Sequence, residues 1–275
     1  PTSVTSIGSY AFANNTSLTA LSIPGNVATI GSYAFSGCSN IATLTLNSGI
    51  QTIGSYAFQN LKITTVTVPN SVTSIGNGAF NGCSSLVSIT LPFVGGSSSV
   101  TSSTGSGYYD YKFGYIFGYS SSYSSGATND GYYYYFIPSS LKTVTITNAT
   151  GVSARAFYGC SNLTSITLNS GVTTIYNDAF NGCSSLTSFT VPTSTTSIGS
   201  SAFYGNTSMA TLTFNSKVTS IGSYAFYNCS RVTSITLPST VKTIGDYAFY
   251  NNSLTSLTIP TSVTSIGSYA FANNT

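Results

Sequence analysis

Histidine, tryptophan and glutamate are absent from the 275 residues, and the carboxylate side chains are Asp110, Asp130, Asp178 and Asp246 alone. Without histidine no Ser-His or Cys-His nucleophile can assemble, and four scattered aspartates make no evident acid–base pair. The composition therefore argues against an enzyme and calls for no cofactor. Charged residues amount to 4%, against about 25% in an ordinary soluble protein, so the surface must be Ser, Thr, Asn, Gly and Tyr. The seven basic residues are dispersed without a run, which leaves no basic patch for nucleic acid. No apolar run approaches the roughly 18 residues of a membrane span, and Pro1 opens no signal-peptide pattern, so the sequence reads as a processed piece or a fragment.

What is present is one phrase, first met as Ile7-Gly8-Ser9-Tyr10-Ala11-Phe12-Ala13-Asn14-Asn15, and repeated. Its Ala-Phe pair ends at Phe12, Phe35, Phe58, Phe80, Phe157, Phe180, Phe203, Phe226, Phe249 and Phe271, in steps of 22 or 23 residues with one jump of 77. A fixed period of that length predicts a solenoid. Ile or Val stands five residues before every Phe, which predicts stacked core columns. Gly or Asn stands two after it, at Asn14, Gly37 and onward. These two residues tolerate the left-handed conformation, so Tyr-Ala-Phe is expected to form one tight helical or 3₁₀ turn. The next column holds Asn15, Cys38, Cys83, Cys160, Cys183, Asn206, Cys229, Asn252 and Asn274, with Leu61 as the exception. A small inward side chain fits all of these. The cysteines share one column without histidine or a Cys-x-x-Cys, so they read as buried free thiols rather than as a zinc site or disulfides.

Between the phrases runs a Leu-x-x-Leu-x-Leu frame, from Leu18 to Ile23, Ile41 to Leu46 and so on to Leu254 to Ile259. Its apolar–Ser/Thr alternation is that of a strand with one buried face. One strand per coil, about 4.8 Å from the next, makes a parallel sheet on one side and short turns on the other. The expected fold is thus a mostly β, leucine-rich-repeat solenoid of about ten coils, a single domain over 1–275.

The combined frame, Cys/Asn-x-x-Leu-x-x-Ile-x-Leu-Pro-x-x-Val-x-x-Ile-Gly-x-Tyr-Ala-Phe, resembles the BspA-like, or Treponema pallidum type, leucine-rich repeats over about 1–92 and 141–275. Ser153 and Tyr176 depart from it where Gly is usual. The resemblance implies a cell-surface protein, extracellular and adhesive toward host matrix or other cells.

The long jump lacks one Ala-Phe half-coil, and residues 92–140 stand in its place as a Tyr/Gly/Ser-rich insertion. They carry Tyr108, Tyr109, Tyr111, Tyr115, Tyr119, Tyr123, Tyr132, Tyr133, Tyr134 and Tyr135. Two readings compete: a solvated loop, or a contact surface, since Tyr supplies amphipathic area at low entropic cost. Ile116 and Phe117 can rejoin the solenoid by filling the slots of Ile and Phe. Asp110 and Asp130 can meet on a calcium ion, although Asn129-Asp130-Gly131 reads first as a turn, and no metal site is assigned.

Residues 1–16 are identical to 260–275, whereas 238–253 matches the same sixteen at nine positions. The ends are in phase, and neither shows the altered pattern of a polar cap. The expectation is a structural or adhesive unit of a longer fibre, continued covalently or by head-to-tail stacking of copies. A monomeric adhesin for matrix or glycans is one alternative. Ranked Ser/Thr columns such as Thr43, Thr45, Thr65 and Thr67 make an ice-binding face another. Asn14, Asn228, Asn251 and Asn273 are glycan acceptors if the source is a eukaryote.

Overall fold

The computed structural model describes residues 3–98, 110–120, 128–129 and 133–274. These fall into two compact units, one of the described residues up to 148 and one of those from 149 onward. Both are β-solenoids, and together the repeats make about ten coils.

The first unit stacks Ser6–Ile7, Thr29–Ile30, Thr52–Ile53 and Ser74–Ile75 in register as one parallel row. In the second row Ala20–Ile23 pairs with Thr43–Leu46, and Ser88–Leu91 pairs with both Thr65–Thr67 and Thr143–Ile146. The second unit repeats the first arrangement six times, from Gly151–Val152 through Thr174–Ile175, Ser197–Ile198, Ser220–Ile221 and Thr243–Ile244 to Ser265–Ile266. Its other row is less regular. Ser188–Thr190 pairs with Thr211–Thr213, but the frames at 232–237 and 254–259 make only the bridge Ser234 to Ser256. Phe214 stands where Leu, Ile or Val closes most frames, and its ring meets both Phe226 and Phe249, at 5.7 and 6.5 Å.

The core is a set of ladders. Phe12, Phe35, Phe58 and Phe80 stack at 5.1 to 5.9 Å, and Phe157, Phe180, Phe203, Phe226, Phe249 and Phe271 at 5.0 to 5.3 Å. Internal Ile, Ala and Phe positions are buried, Ile30, Ala57, Phe58, Ala202 and Phe203 among them. Each coil thus buries its apolar face only against its neighbours, which is how repeat folds are held together.

The Tyr-Ala-Phe phrase is not a helical turn. Tyr10, Phe12 and Asn14 donate their N–H groups to Ser32, Ala34 and Ser36 of the next coil at 3.1, 2.8 and 2.7 Å. Ala11, Ala13 and Asn15 instead close turns onto Gly8, Tyr10 and Phe12. A backbone that alternates between coil-to-coil bonds and local turns must swing at every second residue. Asn14, Asn60, Asn228 and Gly37 accordingly have positive φ, and so do Tyr10, Tyr33, Tyr56, Tyr224, Tyr247 and Tyr269, at 55 to 61°. The left-handed region costs a tyrosine about 1 kcal/mol. One coil-to-coil hydrogen bond and one ring stack offset it.

Candidate contact surface

In the insertion, the phrase missing after Phe80 is rebuilt from other residues. Gly78 and Phe80 donate to the carbonyls of Tyr115 and Ile116, at 3.0 and 2.9 Å, where they would otherwise meet the next repeat. Phe113–Phe117 is a 3₁₀ helix, and Ile116 and Phe117 are fully buried. The register puts Phe117 in the Phe slot, as expected, but Ile116 in the slot of Ala. Tyr134–Tyr135 lies antiparallel between Tyr119–Ser120 and Thr128–Asn129.

The insertion's tyrosines divide accordingly. Tyr111 and Tyr135, 0% and 3% exposed, are core residues and leave the contact set; completing an open coil requires buried rings there. Tyr115, Tyr119, Tyr133 and Tyr134 are half-buried. Tyr119 gathers them, with its ring 6.3 Å from Tyr115 and 5.3 Å edge-on from Tyr133. Tyr108, Tyr109, Tyr123, Tyr132 and the candidate calcium ligand Asp130 lie outside the described residues. Among the described residues no group of three or more His, Cys, Asp or Glu could hold a metal, and no helix is long and apolar enough to cross a membrane.

Among the described residues, further phenolic surface lies on the repeats. Tyr224, Tyr247 and Tyr269 stack at 4.9 and 5.0 Å, and Tyr204, Tyr227 and Tyr250 at 4.8 and 5.0 Å. The two columns touch, because Tyr224 meets Tyr227 at 5.7 Å and Tyr247 meets Tyr250 at 5.4 Å. A third column, Tyr10, Tyr33 and Tyr56, runs along the first unit. Desolvation by the surrounding rings, and then the charges of neighbouring phenols, raise the Tyr33, Tyr227 and Tyr247 hydroxyls above the ordinary tyrosine range. The signal was in the sequence: Tyr204, Tyr227 and Tyr250 each follow the Phe of their repeat. Earlier coils interrupt the columns with Arg155 and Asp178, 3.6 Å apart.

The Cys/Asn column also has a chemical reason. Cys38, Cys83, Cys183 and Cys229 donate Sγ–H to the carbonyls of Phe12, Phe58, Phe157 and Phe203 at 3.0 to 3.3 Å. Asn206 and Asn274 donate Nδ2–H to Phe180 and Phe249 in the same way. The two side chains alternate because both reach one backbone acceptor per coil. All five cysteines are buried, and none forms a disulfide.

These coils, their Leu/Ile frames and their inward donors define a leucine-rich-repeat solenoid. The chain belongs to the BspA-type leucine-rich repeat family, whose model matches residues 5–107, 130–224 and 150–275 in 6 copies. No curated protein matches it. Similar solved structures include a leucine-rich repeat protein from Eubacterium ventriosum (25% identity, 98% of this chain and 81% of that one, TM-score 0.39). Others are the T. pallidum leucine-rich repeat protein (23%, 74% and 69%, 0.39) and a leucine-rich cell surface protein from Faecalibacterium prausnitzii (20%, 99% and 86%, 0.30). At these TM-scores the overlays add nothing to the family match.

Proposed function

We propose that the chain is a non-enzymatic, extracellular structural and adhesive repeat protein whose coils continue in phase with those of further copies. The observation that carries this is the identity of 1–16 with 260–275, a higher-order repeat beyond the similarity of neighbouring coils. A nearly uncharged surface adds little repulsion between copies.

The denatured mass of material from its natural source separates the two forms of continuation. Covalent tandems run far above 28.5 kDa, whereas stacked copies run at 28.5 kDa and form filaments in native buffer. A native 28.5 kDa monomer that binds matrix or glycan would replace this reading with that of a monomeric adhesin.

Ice binding is favoured by one observation, the alignment of Thr65, Ser88 and Thr143, and of Thr67, Thr90 and Thr145, in register on one sheet face. Ranked hydroxyls of this kind predict measurable thermal hysteresis at millimolar protein, and its absence removes the reading.

A further inference from the structure

The double tyrosine column of the second unit is chemically isolated and lies at the surface, with Tyr204, Tyr224 and Tyr269 exposed and Tyr227, Tyr247 and Tyr250 half-buried. The chain has no tryptophan, no histidine and one methionine, Met209, which is 0% exposed. Its five cysteines are buried, with exposures of 4% or less. A one-electron oxidant that reaches this protein therefore finds phenols and little else. Six of them, Tyr204, Tyr224, Tyr227, Tyr247, Tyr250 and Tyr269, form one network of rings at 4.8 to 5.7 Å.

Within the network two kinds of contact differ in what they permit. Rings within a column lie nearly parallel, at interplanar angles of 1 to 17°, and so shield one another's faces. The pairs that cross between columns are tilted, Tyr224 with Tyr227 by 44° and Tyr247 with Tyr250 by 58°. A biaryl bond joins two rings edge to edge with their planes twisted, and the tilted pairs are already turned in that sense. Holding two reacting groups beside one another replaces a collision between molecules with an internal step.

We propose that Tyr224–Tyr227 and Tyr247–Tyr250 are sites of oxidative phenol coupling, forming dityrosine when a peroxidase-class oxidant supplied with hydrogen peroxide acts on the surface. Each phenol of a pair gives up one electron and its hydroxyl proton to become a phenoxyl radical. The two radicals join through ring carbons ortho to oxygen, and each ring hydrogen then moves to its oxygen, restoring two phenols. The net change is the loss of two hydrogen atoms from the pair, while one hydrogen peroxide is reduced to two water molecules. The bond staples the turn that contains the first Tyr to the start of the next, within one coil. The stacked neighbours Tyr204 and Tyr269 extend the network along which an oxidised ring can be re-reduced before it couples.

The test treats the purified chain with a haem peroxidase and limiting hydrogen peroxide, at a concentration low enough to suppress reaction between molecules. Dityrosine fluorescence, intact mass and peptides cut after Lys and Arg are then read. Because Arg231 and Lys242 lie between the pairs, each cross-link falls inside its own peptide, one within 218–231 and one within 243–275. The expected result is a monomer carrying dityrosine, with each of these peptides lighter by two hydrogen atoms. The double variant Tyr227→Phe, Tyr250→Phe keeps the rings and their packing, and it is expected to lose the cross-links in both peptides. Coupling confined to dimers, coupling at tyrosines of the insertion, or an undiminished yield in these peptides of the double variant would each overturn the proposal.

Discussion

Between pH 9 and about pH 11 the second unit is expected to lose stability, by about 2–3 kcal/mol from Cys229 and further from Cys183. The cause is the buried thiol column. Burial pushes Cys229 up to about 12 from an ordinary value of 9.0, and it raises Cys183 as well, against only a small opposing effect of a backbone hydrogen bond. In the unfolded chain these thiols ionise near their ordinary value; in the folded coil they stay protonated. A group with a raised folded pKa contributes stability that is complete below the unfolded value and is lost as pH rises toward the folded one. Each thiol then removes about 1.4 kcal/mol per pH unit across that window. The same holds for Cys83 in the first unit, pushed up to about 12. Melting curves against pH, in the presence of a reductant, measure the slope. The variant Cys183→Asn, Cys229→Asn keeps a donor for Phe157 and Phe203, as Asn206 does for Phe180, and should lose most of the slope between pH 9 and 10. An equal slope in the variant would show that the thiols are not its source.

Phe226→Ala is expected to cost about 3–5 kcal/mol. Its ring is fully buried, stacked on Phe203 at 5.1 Å and Phe249 at 5.2 Å, with Phe214 edge-on at 5.7 Å. Truncation removes the ring from a ladder in which both neighbours are held by their own coil-to-coil hydrogen bonds, Phe203 to Ala225 and Phe249 to Ala270 at 2.7 Å each. They cannot close the gap, so the cavity stays. Chemical denaturation of the purified chain checks this, with Tyr224→Phe as the surface comparison, expected to change stability by less than about 0.5 kcal/mol. Equal effects at the two positions would mean that the Phe ladder is not the core of this unit.

The ladders were legible because a solenoid asks the same question at every period. Phe35, Phe58 and Phe80 occupy one environment, so one residue type answers it, and the column appears in the sequence. The Gly/Asn column was readable for the same reason, since each member sits at positive φ. The left-handed tyrosines were not readable. No intrinsic preference of Tyr predicts φ near 55 to 61°; it is imposed by the N–H that must reach the next coil. The insertion was legible only in part. Phe117 could be placed by its resemblance to the repeat. Tyr111 and Tyr135, however, look on paper like the other tyrosines of a low-complexity stretch, and only the closure of the open coil decides that they go inside.

In-phase self-continuation is the centre of this account, and sedimentation and electron microscopy of the purified 28.5 kDa chain test it most directly. The account predicts concentration-dependent head-to-tail filaments that disappear when the outward coil is made cationic by Leu257→Lys with Ile259→Lys. Those two residues are exposed, so the variant is expected to remain folded and monomeric. A wild-type chain that stays a monodisperse 28.5 kDa monomer at every concentration would contradict continuation by stacking, and natural material with a denatured mass of 28.5 kDa would contradict the covalent form.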